Sequence, residues 1–269
     1  MNKILISLLV IGVVGGIVAG VTTAYFSDTE TSVGNTFTAG TLDLKIDNTS
    51  YLNGEPSNST TWTLRDIDNE LFFSFGDLKP GDEGEDTISL HVFGNDAWAC
   101  FDITVTATLE NGCLEPEIEY GDEDCEEDEG ELQEELQFVF WADDGDNVLE
   151  IEENVFFGPL FLNEFDGQLI TLADASGNVL EESGPLVGSK DYFIGKAWCF
   201  GTLTIAPLPQ DGSGQSGPDV IGSGVVCDGT SGTNLTQSDG IEATLSFSAI
   251  QSESNADFLC SEMNPPSSN

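Results

Sequence analysis

The chain is 269 residues long and sets 6 Lys and Arg against 49 Asp and Glu, a net charge of −43. That balance excludes a nucleic-acid binder and repels anionic membrane surfaces. One histidine and no HExxH pair exclude the common zinc-hydrolase layout and any catalysis that needs two histidines. The length suits one large all-β domain or two ordinary ones at about 100–200 residues each, and a hydrophobic fraction of 39% is enough for a core.

Lys3 is the only charge before Asp28, and Ile4 to Ala24 is uncharged throughout. A basic start, an apolar run and small residues at Thr22 and Ala24 read as a secretory signal over 1–24, cleaved between Ala24 and Tyr25. The same run is long enough to span a bilayer as a retained anchor, so the membrane is touched only through the uncleaved signal. Both readings place the rest of the chain outside the cell, secreted or at its surface.

Beyond a segment at 25–40, residues 41–269 read as one domain dominated by alternation. Leu42, Leu44 and Ile46 oppose Thr41, Asp43 and Lys45, and Ile88, Leu90 and Val92 oppose Thr87, Ser89 and His91. Phe101, Ile103, Val105, Ala107 and Leu109 form the clearest half-buried strand, and Ile241 to Ala249 repeats its pattern. Leu136–Trp141 and Trp198–Ala206 are denser strand candidates, whereas Glu131–Gln137 hints at helix. Breaks such as Lys79-Pro80-Gly81-Asp82 and Glu110-Asn111-Gly112 separate them. Many short strands predict an all-β fold, a two-sheet antiparallel sandwich. Three stretches read as insertions: polar 48–61, acidic 115–135 and Gly/Ser-rich 207–232. Asn48, Asn58 and Asn234 begin glycosylation sequons, which belong on exposed loops of an exported glycoprotein.

Six cysteines outside the cytoplasm predict three disulfides. Cys113 and Cys125 bracket the start of the acidic stretch, and Cys199 with Cys227 would close the Gly/Ser-rich one. That leaves Cys100 with Cys260, one of 15 possible arrangements. CxxC spacing for zinc is absent.

Carboxylates concentrate in two places, Asp122–Glu131 and Asp143–Glu153. Hard oxygen ligands suit calcium, and Asp143, Asp144, Asp146, Glu150 and Glu152 form the better candidate set. Leu149 stands where an EF-hand needs Gly and Val155 where its bidentate Glu belongs, so a site here is irregular. The competing reading is a solvated acidic face, which also fits a protein exposed to high salt. No cofactor is required on either reading, and calcium is the ion this loop would take.

The run Ala24-Tyr25-Phe26-Ser27-Asp28-Thr29-Glu30, followed by Asn35-Thr36-Phe37-Thr38-Ala39-Gly40-Thr41-Leu42-Asp43-Leu44, resembles the start of TasA/camelysin family proteins. Leu78–Asp82, Ala197–Gly201 and Phe247–Cys260 resemble the family more weakly. The resemblance implies a jelly-roll-like sandwich and export through a signal peptidase of the SipW type. It also implies filaments or biofilm matrix built as a head-to-tail homopolymer, each N-terminal strand passing into the next subunit. Tyr25, Phe26, Val33 and Phe37 are then the polymerisation strand's anchors, freed by cleavage. Two alternatives stay open: a monomeric calcium-binding adhesin of the cell surface, and a camelysin-type metallopeptidase. The second finds little support, because His91 lies on the polar side of its strand with no His or Glu at metal-ligand spacing. A structural role, not an enzyme, is the expectation.

Overall fold

The computed structural model describes residues 42–67, 70–73, 76–123, 125, 129–210 and 216–263. The chain divides into two units, Met1–Ala39 and Gly40–Asn269. The first unit, with the expected signal and polymerisation strand, lies outside the described residues, as do Asp124, Glu126, Glu127 and Asp128 of the acidic run.

In chain order the strands are β1 (Leu42–Leu52), β2 (Glu55–Pro56), β3 (Trp62–Arg65), β4 (Glu83–Gly94), β5 (Ala97–Leu109), β6 (Leu136–Asp143) and β7 (Val155–Phe161). They continue as β8 (Leu169–Asp174), β9 (Gly177–Asn178), β10 (Lys190–Phe200), β11 (Thr202–Ile205), β12 (Val225–Asp228) and β13 (Gly240–Gln251). One sheet runs β2-β1-β4-β10-β6-β7, with β3 also on β1; the other runs β13-β5-β8-β9. Every pairing between strands is antiparallel. The fold is a two-sheet antiparallel sandwich.

Alternation sends one residue of each pair into the space between the sheets. Ile46, Ile88, Leu90, Val92, Tyr192, Ile194, Phe138 and Phe140 fill it from the larger sheet, and Phe101, Ile103 and Leu245 from the smaller. Aromatic rings knit the layers: Phe101 lies 5.1 Å from Phe140 and 5.7 Å from Phe247, and Phe165 stands edge-on to Phe138, Phe140 and Phe157. Each such ring, fully buried, contributes about 1.5–3 kcal/mol.

The larger sheet is covered on its other face too. The β11–β12 hairpin sets Leu203 and Val225 against Val139, Trp141, Leu149 and Ala197, and the Cys199–Cys227 disulfide pins it there. Thr87 and Ser89, expected outside, are buried on this face, where Thr87 Oγ1 donates to Asp143 Oδ2. Two glycines make room for tryptophans on the opposite faces. A Cβ at Gly84 would lie 2.3 Å from Trp198 and one at Gly195 2.0 Å from Trp141, each the glycine's cross-strand partner. The Cys100–Cys260 bridge ties the C-terminal segment to the smaller sheet, where Trp98 Nε1 donates to Asn255 O at 2.7 Å.

The structure redraws several expected boundaries. β1 continues to Leu52, so the first half of the 48–61 stretch is strand and not insertion. The 115–135 stretch holds a helix, α1 (Glu115–Tyr120), and the expected helix near Glu131 is one turn over Leu132–Glu134. Trp198–Ala206 is broken at Gly201, whose φ of 132° turns the chain between β10 and β11. The 207–232 stretch contains β12, which is pulled into order by Cys227.

Lys196 is fully buried between the sheets, its Nζ 2.7 Å from Asp86 Oδ2. Asp86 Oδ1 accepts from Asn48 Nδ2 at 2.9 Å, and the same amide donates to Thr60 O at 2.8 Å. Removing one member of such a pair strands the other charge without water. Lys196→Met should therefore cost about 3–5 kcal/mol of unfolding free energy, measured by urea titration. Lys196→Met combined with Asp86→Leu should recover more than half of that loss.

Candidate functional site

Two features on the described residues carry chemistry or recognition: an open sheet edge and the loop after β6. β13 pairs with β5 along its whole length and has no strand on its other side among the described residues. Across from it, β3 begins to cover β1 only at Ile46, leaving Leu42–Lys45 without a partner on that flank among the described residues. Between the two edges runs a groove of about 540 Å³, lined by apolar Leu42, Leu44, Ile46, Ile67, Phe247 and Ala249 and also by Asp66, Thr244 and Ser246. Ile241, Ala243, Phe247 and Ala249 pack against the core yet stay half-exposed. In a chain this acidic, Ala243–Gln251 carries no charge at all. Long uncharged edges are what soluble sandwiches normally avoid, because unpaired N–H and C=O groups recruit another strand.

The loop Asp143–Glu153 folds back on itself and gathers four of the five expected ligands. Oxygens of Asp144, Asp146 and Glu150 lie within 4.8 Å of one another, as do those of Asp143, Asp144 and Glu153. Glu152 is the exception: its backbone is left-handed at φ 85°, its side chain is exposed, and Glu153 takes its place in the cluster. Much of the loop's charge is met from within. Asp143 accepts from Thr87 Oγ1 at 2.9 Å and Trp141 Nε1 at 3.0 Å, and Asp146 Oδ1 accepts from Val148 N at 2.9 Å. Glu153 accepts from the amides of Asp144 and Glu150, at 3.1 and 2.8 Å. Burial nevertheless pushes Asp143 up to about 6 and Asp146 to about 7. Burial together with the neighbouring carboxylates takes Glu153 to about 8. On the same face of the sheet Glu85 is 1% exposed and, mainly through burial, stands at about 8. These oxygens would suit a hard divalent cation of irregular geometry.

Residues 2–97 match a family model described as camelysin metallo-endopeptidase. Over that stretch the chain is similar to the camelysin family. The match agrees with the TasA/camelysin resemblance of the N-terminal run, and it ends where β5 begins. No curated protein matches the chain. The camelysin description implies a peptidase metal, and the residues present do not fit a zinc centre. His91 has Asp47 Oδ2 2.9 Å from Nε2 and Asp191 Oδ1 2.7 Å from Nδ1. None of the acidic groupings that could hold a metal among the described residues includes a histidine. Zinc peptidase sites need nitrogen ligands as well as an open position.

The other expected residues fall as follows. The disulfides join Cys100 to Cys260, Cys113 to Cys125 and Cys199 to Cys227. Asn58 and Asn234 are exposed. Asn48 is not a glycosylation site in the folded chain: it is 1% exposed and its amide is spent on Asp86 and Thr60. Ala24, Tyr25, Phe26, Val33 and Phe37 lie outside the described residues. Sequence reasoning missed Glu85, which alternation placed beside a strand that proves to be covered on both faces.

The raised carboxylates set a pH dependence. A folded-state pKa above the unfolded value means the folded chain keeps protons that the unfolded chain releases. That stabilisation is complete below about pH 4 and fades as pH climbs to about 8. In chelator, urea midpoints should fall between pH 5 and pH 8, and Asp146→Asn should lessen the fall. A wild-type midpoint that rises across the window would contradict this placement of the carboxylates.

Proposed function

We propose that the protein is a secreted structural subunit of extracellular filaments or biofilm matrix, and not an enzyme. It assembles by N-terminal strand addition once a signal peptidase of the SipW type has cut between Ala24 and Tyr25. The observation that carries this reading is the open β13 edge beside the apolar groove. An added strand bonds its backbone to a free edge and drops alternate side chains into pockets. Tyr25–Phe37 is within a residue of the length of β13, and Tyr25, Phe26, Val33 and Phe37 supply the apolar side chains. Given to a second copy, such a strand makes a head-to-tail contact that does not close, so the product is a filament. An uncleaved signal would hold the segment at the membrane and keep the precursor monomeric.

The acidic loop favours one other reading, a monomeric calcium-binding adhesin of the cell surface. Electron microscopy separates the two. Protein beginning at Tyr25 should form fibres, while the uncleaved form and a variant lacking Tyr25–Phe37 should remain monomers, with or without calcium. Fibres of the same form from the deletion variant would end the strand-addition reading, and monomers from all three would favour the adhesin.

A further inference from the structure

A second group of carboxylates is assembled by the fold from residues far apart in sequence. Glu110 follows the last residue of β5, Glu117 sits in α1 and Asp122 in the turn after it. Glu131 leads into β6, and Asp239 immediately precedes β13. Oxygens of Glu110, Asp122 and Glu131 lie within 4.8 Å of one another, and so do those of Glu110, Glu117 and Asp239. Glu110 is common to both sets. It is 4% exposed, and no amide, hydroxyl or basic donor among the described residues reaches its carboxylate oxygens, whose hydrogen-bonding neighbour is the carboxyl of Asp239. Glu117 Oε1, Glu131 Oε2 and Asp239 Oδ1 are also buried without such a donor.

No basic side chain among the described residues answers this charge. Lys45, Arg65, Lys79, Lys190 and Lys196 all pair with carboxylates elsewhere. The Asp143–Glu153 loop differs here, because its carboxylates collect amide, indole and hydroxyl donors, whereas Glu110 collects none. Burying charge without a partner is costly enough that the group must take a proton or a cation. Burial, with repulsion from Glu110 and Glu131, pushes Asp239 up to about 7, and burial raises Glu117 and Glu131 as well.

We propose that Glu110, Glu117, Asp122, Glu131 and Asp239 form a binding site for a divalent cation of the calcium class. Oxygen-only ligands exclude the nitrogen and sulfur preferences of zinc. Carboxylates drawn from a helix, a turn and two strand ends suit the six to eight ligands and tolerant geometry of calcium better than the strict octahedron of magnesium. A bound ion ties α1, whose loop Cys113–Cys125 closes, to the end of β5 and the start of β13, where Leu109 pairs with Gly240. Binding is independent of assembly and is read on monomer.

The test is calorimetric titration of the disulfide-intact chain with calcium chloride in molar sodium chloride, which suppresses loose surface binding. A saturable calcium equivalent should appear, weakened about tenfold or more by Glu110→Gln and by Asp239→Asn. Asp257→Asn, at an exposed carboxylate outside every such grouping, should leave it unchanged. Thermal melting guards against variants that merely misfold: in chelator, Glu110→Gln should melt above the wild type, because one repelling charge has gone, and calcium should no longer raise its midpoint. Wild-type affinity in Glu110→Gln, or equal stabilisation of the wild type by calcium and magnesium, would overturn the proposal.

Discussion

Forty-nine carboxylates share six basic side chains, and that shortage governs how this fold handles every acidic group it buries. Three solutions coexist. Asp86 receives the one cation placed in the core, Lys196, and with it the cost of desolvating both. For Asp174, burial works against the charge, yet hydrogen bonds from Ser176, Cys260 and Thr171 together outweigh it and hold the carboxyl below its usual range. Asp146 and Glu110 have neither an ion pair nor a full set of donors. Burial pushes Asp146 up to about 7, so it takes up a proton in mild acid. The same arithmetic makes stability fall as pH rises, the opposite of what salt-bridged carboxylates give.

Two disulfides staple the sandwich, and among the described residues neither lies on the flank between β1 and β13. Cys199–Cys227 holds the β11–β12 hairpin on the outer face of the larger sheet, and Cys100–Cys260 holds the C-terminal segment on the smaller. The loop closed by the second bridge spans a separation of 160 residues, so its constraint on the unfolded chain is large. At the flank between β1 and β13 there is no staple among the described residues, and apolar side chains stand half-covered. Under the proposed function, this flank is the place kept for another strand.

How much of this could be read from the sequence depends on distance along the chain. β5 was plain, because five apolar residues alternate without interruption, and the groove-lining side of β1 was visible in Leu42, Leu44 and Ile46. β7 and β8 escaped because Val155–Phe161 is too dense in apolar residues to alternate and Leu169–Asp174 is short. Asn48 misled because a sequon describes three residues, whereas burial is decided by Thr60 and Asp86. Glu152 and Glu153 are interchangeable in composition, and only the left-handed backbone at Glu152 separates the exposed one from the ligand-facing one. The group around Glu110 was invisible for a deeper reason. Asp239 reaches it through the pairing of β5 with β13, and no window of sequence contains both.

Charge also limits how the open edge can work. Subunits of the proposed filament, at least as negative as the full chain's −43 because cleavage removes Lys3, would repel one another over their whole surface, so pairing would have to prevail at short range. The screening length is about 10 Å at 0.1 M salt and about 3 Å at 1 M. A backbone ladder with an apolar groove beneath it operates within that shorter distance, and its strength does not depend on ion pairs that salt would weaken. Hence the absence of charge from Ala243 to Gln251 matters as much as its apolar content. Asp66 does line the groove, and there Lys45 Nζ meets it at 3.2 Å. Glu242, the only charged residue of β13, sits beside the bulge at the end of the strand, where the ladder is already irregular.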